Sequence, residues 1–156
     1  MEYKPLTPQY DAALAKLIRS ILKDNHLDIP GTAYYDEALD HMSSYYDEPG
    51  RAYYVLLEGD TLAGGIGIAG FDGIEGCCEL QKLYLADSAR GSGTGYEMVG
   101  FIEDKARELS YKRIYLETHT NLEAAIHIYE RSGYKRIDRP ESVIHSTMNR
   151  FYLKEL

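Results

Sequence analysis

The stretch Arg90-Gly91-Ser92-Gly93-Thr94-Gly95 packs three glycines into five residues, between two segments of different hydrophobic period. Before it, Cys77 to Leu85 reads as a buried strand. After it, Met98, Val99, Ile102, Ala106 and Leu109 recur at helical spacing. A strand that turns through glycines into a helix builds an anion site. The turn lets backbone N–H groups converge, and the first N–H groups of the helix, with its dipole, attract phosphate oxygens.

Spacing separates the phosphate loops that share this logic. A nucleoside-triphosphate loop needs Lys and then Ser or Thr after its last glycine; Gly95 is followed by Tyr96 and Gly100 by Phe101. A dinucleotide fingerprint opening at Gly91 needs Gly or Ala at 96, which is Tyr, and one opening at Gly93 needs it at 98, which is Met. Both are excluded.

The remainder of the chain supplies one domain, residues 1–156. Residues 1–6 suit a short first strand, and Tyr10, Ala13, Leu14, Leu17, Ile18, Ile21 and Leu22 follow the pattern of an amphipathic helix. Pro30-Gly31 breaks the chain, and Thr32 is expected to cap a second helix carrying Tyr35, Leu39, Met42 and Tyr46. Ala52 to Leu57 and Leu62 to Phe71 read as a hairpin about Glu58-Gly59-Asp60. In its second strand Leu62, Gly64, Ile66 and Ile68 are expected on one face. Ala63, Gly65, Gly67 and Ala69 leave the other nearly flat, so something packs closely there.

The strand Cys77–Leu85 changes parity: Leu80 is even, Leu83 and Leu85 are odd. A bulge near Gln81-Lys82 reconciles them and frees backbone groups for a ligand. Arg113 to Thr118 is a further strand, and Thr120-x-x-Glu123 reads as a capping box for a helix ending at Gly133. Tyr134 to Ile137 and Met148 to Leu153 complete the order β-α-α-β-β-β-α-β-α-β-β, an α/β (α+β) fold with a mixed sheet and helices on both faces.

The pattern R-G-x-G-x-G after Glu79-Leu80-x-x-Leu83-Tyr84-Leu85 resembles the coenzyme A loop of the GNAT superfamily of N-acetyltransferases. Leu116-Glu117-Thr118, with Ala125-Ile126-x-Ile128-Tyr129-Glu130-x-x-Gly133-Tyr134, resembles that family's second signature. The resemblance implies a mostly antiparallel sheet of about seven strands, acetyl-CoA as co-substrate, and acetyl transfer to a primary amine of a small molecule or peptide. It implies a coenzyme A site at Leu83, Tyr84, Leu85 and the loop Arg90, Gly91, Ser92, Gly93, Thr94 and Gly95, with pantetheine inserted beside the bulged strand. Arg90 either meets a phosphate or caps a carboxylate.

Acetyl transfer needs a polarised thioester carbonyl, an unprotonated amine and a proton for the leaving thiolate. Glu79, just upstream of the bulge, is the first candidate base, with Glu117 and His119 as rivals. The resemblance makes Tyr129 the candidate acid, at the position where the family often carries a tyrosine hydroxyl near the thiolate. The family often has an asparagine seven residues before this tyrosine. Here position 122 is Leu, and Asn121, eight residues before, either reaches the cofactor or belongs to the turn. A non-catalytic acyl-CoA binding or sensing module of the same fold is the alternative function, and a structural domain without coenzyme A a third.

A net charge of −8 argues against nucleic acid as a partner. No apolar run approaches the ~20 residues of a membrane span, and no secretory signal opens the chain, so a cytoplasmic location is expected. Cys77 and Cys78 are adjacent in a strand, point to opposite faces and offer no metal-ligand spacing, so both are expected to be reduced and no metal is expected. The resemblance implies an acceptor pocket set by the first two helices and the last two strands, which here supply Tyr34, Tyr35, Tyr45, Tyr46 and His145. A homodimer is left open.

Overall fold

The glycine turn follows the central strand of a single seven-stranded sheet. The computed structural model describes residues 1–156. Strands β1 (Glu2–Pro5), β2 (Ala52–Glu58), β3 (Thr61–Gly70), β4 (Cys77–Leu85), β5 (Arg113–Thr118), β6 (Lys135–Ile137) and β7 (Arg150–Glu155) lie in the order β1-β2-β3-β4-β5-β7-β6. Every neighbouring pair is antiparallel except β4 and β5. A parallel pair needs a crossover. Helix α3 (Thr94–Glu108) supplies it.

Helix α1 (Asp11–Asp24) buries Leu14, Ala15, Ile18 and Leu22 on one stripe, against β2 residues Tyr53, Val55 and Leu57. On the opposite face, α3 places Met98, Val99, Ile102 and Ala106, and α4 (Glu123–Arg131) places Tyr129, against Ile66, Ile68, Cys78, Leu80, Ile114 and Leu116. Cys77 and Cys78 are free, buried, and belong to different clusters on the two faces.

Four local expectations change. The second helix is three short pieces: 3-10 turns at Ala33–Tyr35 and Glu37–His41, then α2 (Met42–Tyr46). Thr32 does not cap it, because its one O–H is turned to the Leu27 and Ile29 carbonyls, 2.8 and 2.9 Å away, and is shared between them. Asp36 restarts the helix instead, its backbone extended and its carboxylate accepting from the Ala38 N–H at 2.9 Å.

The Thr120–Glu123 capping box does not form, and α4 begins at Glu123 after Leu122. Asn149 competes for Thr120: its Oδ1 accepts from the Thr120 N–H at 3.0 Å and its Nδ2 donates to the Thr120 hydroxyl at 3.1 Å. In β3, Leu56 pairs with Gly64 but Leu57 with Leu62, so Ala63 is an extra residue. That bulge turns Leu62 toward α1 and Ala63 toward α3, reversing their expected faces. The last strand starts at Arg150 rather than Met148.

Candidate active site

The parity change in β4 is a bulge. Gln81 pairs with Gly67 and Tyr84 with Gly65, so Lys82 and Leu83 together oppose Ile66. Lys82 takes φ +50, in the left-handed region. Before the bulge Cys78 and Leu80 face the α3 core; after it Leu83 and Leu85 do. The flat face of β3 explains how the bulge is held. The Tyr53 ring lies across Gly65 and Gly67, where a Cβ at Gly65 would stand 2.5 Å from the ring and one at Gly67 would overlap it. The Tyr53 hydroxyl then donates to the Lys82 carbonyl at 2.7 Å. The close partner of the glycines is therefore an aromatic side chain of the neighbouring strand.

Strand β4 pairs with β5 only from Cys77 to Glu79. Beyond Glu79 the two diverge and open a cleft of about 140 Å³ lined by Leu83, Tyr84, Leu85, Gly95, Ile128 and Tyr129. At its end the chain turns through Gly91 at φ +84 and Gly93 at φ +82, which precedes the first residue of α3. A Cβ on either glycine would meet nothing within 4 Å. No side chain caps α3. Since the Glu97 N–H is the one that bonds back to the Gly93 carbonyl, at 3.2 Å, the N–H groups of Thr94, Gly95 and Tyr96 have no helical acceptor. These are donors for an anion.

Arg90 closes the loop onto itself: its Nε donates to the Leu85 carbonyl at 3.0 Å, and its guanidinium pairs with Asp87 at 3.1 Å. The Ser92 and Thr94 hydroxyls lie 2.9 Å apart.

Tyr129 is 5% exposed, and its hydroxyl makes no hydrogen bond within the protein although it lines the cleft. Burial holds its pKa well above the ordinary phenol value, so it stays a proton donor at neutral pH. Tyr84, pushed up to about 12 by burial, lines this cleft and a second cavity of about 330 Å³ behind it.

That second cavity holds the carboxylates. Glu79 Oε1 accepts from Gln81 Nε2 at 2.7 Å, and Gln81 Oε1 accepts from the Tyr46 hydroxyl at 2.6 Å. Burial raises the Glu79 pKa; the Gln81 hydrogen bond lowers it, the Glu117 charge raises it and Lys82 lowers it. Glu117 accepts from the Tyr115 and Ser146 hydroxyls, each at 2.9 Å. Both carboxylates line the cavity, with Lys82, Tyr84 and His145.

Two expected residues lie elsewhere. His119 Nδ1 accepts from the Asn121 N–H at 3.0 Å, and Asn121 Nδ2 donates to the Asn25 carbonyl at 3.1 Å. Both serve the turn before α4 and its tie to the end of α1, and neither lines the cleft or the cavity. Of the aromatic residues expected around the acceptor, Tyr34, Tyr35, Tyr45 and Tyr46 do not line the 330 Å³ cavity, whereas His145 does. Sequence reasoning missed the Lys82 side chain, whose signal was the bulge itself. It missed Gln81 and Ser146, which reach the carboxylates through contacts that no local pattern encodes.

Comparison with known proteins bears on this geometry. The family model described as Acetyltransferase (GNAT) family matches residues 16–134. The uncharacterized N-acetyltransferase YjgM of Escherichia coli (strain K12) is 39% identical over 136 residues, 85% of this chain and 81% of that protein. The fold is similar to that of an acetyltransferase of the GNAT family from Staphylococcus aureus Mu50, with TM-score 0.87 and 22% identity over 99% of this chain and 98% of that one. It is also similar to an aminoglycoside 6'-N-acetyltransferase complexed with coenzyme A, with TM-score 0.72 and 19% identity over 99% and 97% of the two chains.

Proposed function

The chain belongs to the GNAT acetyltransferase family, and we propose that it transfers the acetyl group of acetyl-CoA directly to a primary amine of a small molecule or peptide. One observation carries this reading. The β4–β5 cleft runs from three unpaired N–H groups at the start of α3 to the unpartnered Tyr129 hydroxyl, and Tyr84 joins it to a cavity that holds two carboxylates. The cleft fits coenzyme A: Gly91 and Gly93 leave open space before the helix, and the bulged strand has an unpaired edge along the gap. That an acetyltransferase of this fold is complexed with coenzyme A supports coenzyme A as the ligand.

In this reading the loop Gly91–Gly95 holds the pyrophosphate through backbone N–H groups, as helix N-termini bind anions. Arg90 shapes the loop rather than meeting the phosphate. Leu83 to Leu85 align the pantetheine arm along the free side of β4. Glu79 accepts the amine proton, directly or through a water, and its raised pKa brings it toward neutral pH, where a general base works best. Glu117, held by two hydroxyls, supplies negative charge near the incoming ammonium. The new C–N bond forms as the C–S bond breaks, and Tyr129 donates a proton or hydrogen bond to the departing sulfur. No covalent enzyme intermediate is needed, since Cys77 and Cys78 are buried and burial raises both thiols, Cys77 to about 11.

The test is a screen of amines with acetyl-CoA, read by release of free thiol and by the mass of the acetylated product. Thiol release that depends on both amine and enzyme is expected. Tight acetyl-CoA binding with no amine-dependent release across a broad panel would favour a binding module instead.

A further inference from the structure

Lys82 stands in the left-handed region at φ +50, which glycine or asparagine adopts easily and which strains a longer side chain. The fold enforces it. Tyr53 donates to its carbonyl at 2.7 Å, and the Tyr53 ring fits only because residues 65 and 67 are glycine. Positions on β2 and β3 thus fix the direction in which the Lys82 side chain leaves the strand.

Three lysines in the chain are neither exposed nor fully buried: Lys82, Lys105 and Lys154. Lys105 pairs with Glu108 at 3.3 Å and Lys154 with Glu103 at 2.5 Å. Lys82 has no ion pair and donates no hydrogen bond from its ammonium. The charges of Asp36 and Glu79 act on it from beyond pairing distance, and burial lowers its pKa. It lines the cleft, the 330 Å³ cavity that also holds Glu79 and Glu117, and a space of about 180 Å³ beside Asp36. A desolvated cation with no counter-ion is an incomplete site. Across the same cavity, two carboxylates await an ammonium.

Resting on the acetyl-transfer reading above, we propose that Lys82 binds a carboxylate of the acceptor, so that the substrates are small amino acids rather than simple alkylamines. The amine of such an acceptor faces Glu79 and Glu117, and its carboxylate faces Lys82. A pocket bearing both signs complements a zwitterion. Lys as a point charge recognises carboxylate without demanding bidentate geometry.

The test compares the standard amino acids with their decarboxylated amines, such as leucine with isoamylamine and phenylalanine with phenethylamine, in the native protein and in Lys82→Asn. Asparagine tolerates the left-handed backbone, so the variant should fold with an unchanged or higher thermal midpoint. The native protein should favour amino acids over their amines in kcat/KM. Losing one charge-assisted contact in Lys82→Asn should shrink that preference by about 10-fold to 100-fold, mainly through KM, and Lys82→Arg should restore part of it. Equal use of both sets by the native protein, or an undiminished preference in Lys82→Asn, would overturn the inference and leave acetyl transfer standing. No turnover of either set, with acetyl-CoA bound, would overturn this inference as well, and the acetyl-transfer reading falls with it only if the broad amine panel, peptides included, also releases no thiol.

Discussion

Gly93 and Gly76 make a matched pair of perturbations. Gly93 has φ +82 and Gly76 has φ +63, so alanine at either position is strained in the same way. Neither would clash: a Cβ at 93 meets nothing within 4 Å, and one at 76 meets its nearest atom, Lys112 Cγ, at an ordinary 3.4 Å. A left-handed L-residue costs roughly 1–2 kcal/mol. For a chain of this size that lowers the thermal midpoint by about 2–8 °C. Both variants should show that loss in circular dichroism melts.

They should differ in binding. Gly93 sets the start of α3, where Thr94, Gly95 and Tyr96 offer free N–H groups, while Gly76 lies in the turn before β4, at the other end of that strand. Tilting the helix start so that one charge-assisted hydrogen bond to phosphate is lost should weaken coenzyme A binding about 10-fold to 100-fold in Gly93→Ala. Calorimetric titration with coenzyme A should find Gly76→Ala like the native protein. Equal affinity in the two variants, with equal melting losses, would refute the backbone-anion reasoning.

Tyr129→Phe keeps the ring and removes a hydroxyl that bonds nothing in the protein, so stability and coenzyme A affinity should hold while kcat falls. General-acid help is worth roughly 10²–10⁴, and the lower end or less is expected because a thiolate leaves readily. Glu79 has a native pKa raised by burial, so the folded state should lose stability as pH rises from the ordinary glutamate value of about 4.3 through the native one. Glu79→Gln should lack that fall in urea titrations across pH, and should lose turnover at neutral pH more than at high pH, where the amine is already neutral. Gly67→Ala would drive a Cβ into the Tyr53 ring and to 2.8 Å from the Ala52 carbonyl. Overpacking of this kind costs about 1–3 kcal/mol, and the loosened bulge should cost activity as well.

Much of this arrangement was legible because it is written in local patterns. Leu80 against Leu83 and Leu85 announced the bulge, since a strand cannot change parity without an extra residue. The glycines of 91–95 marked the helix start, and the apolar spacing of α1 and α3 assigned their buried stripes. What failed to read depends on partners distant in the chain. Asn149 takes Thr120 from its capping box across the turn, and Ser146 reaches Glu117 from the loop before β7. The flat face of β3 predicted a close neighbour but not its nature, because a tyrosine from β2 and a helix leave the same absence of side chains. Ala63 hid a second bulge in a run of small residues, where alternation is weak and register is poorly marked.

Amide hydrogen exchange with and without acetyl-CoA tests the central claim most directly, because it reads the backbone groups on which the site is built. Binding along the diverging edge of β4 and at the start of α3 should slow exchange at Leu83–Leu85 and at Thr94–Tyr96, with little change in β1 or β6 at the two sheet edges. Protection confined to another surface, such as the open groove lined by Pro5, Ser43 and Arg51, with β4 and α3 unaltered, would contradict it.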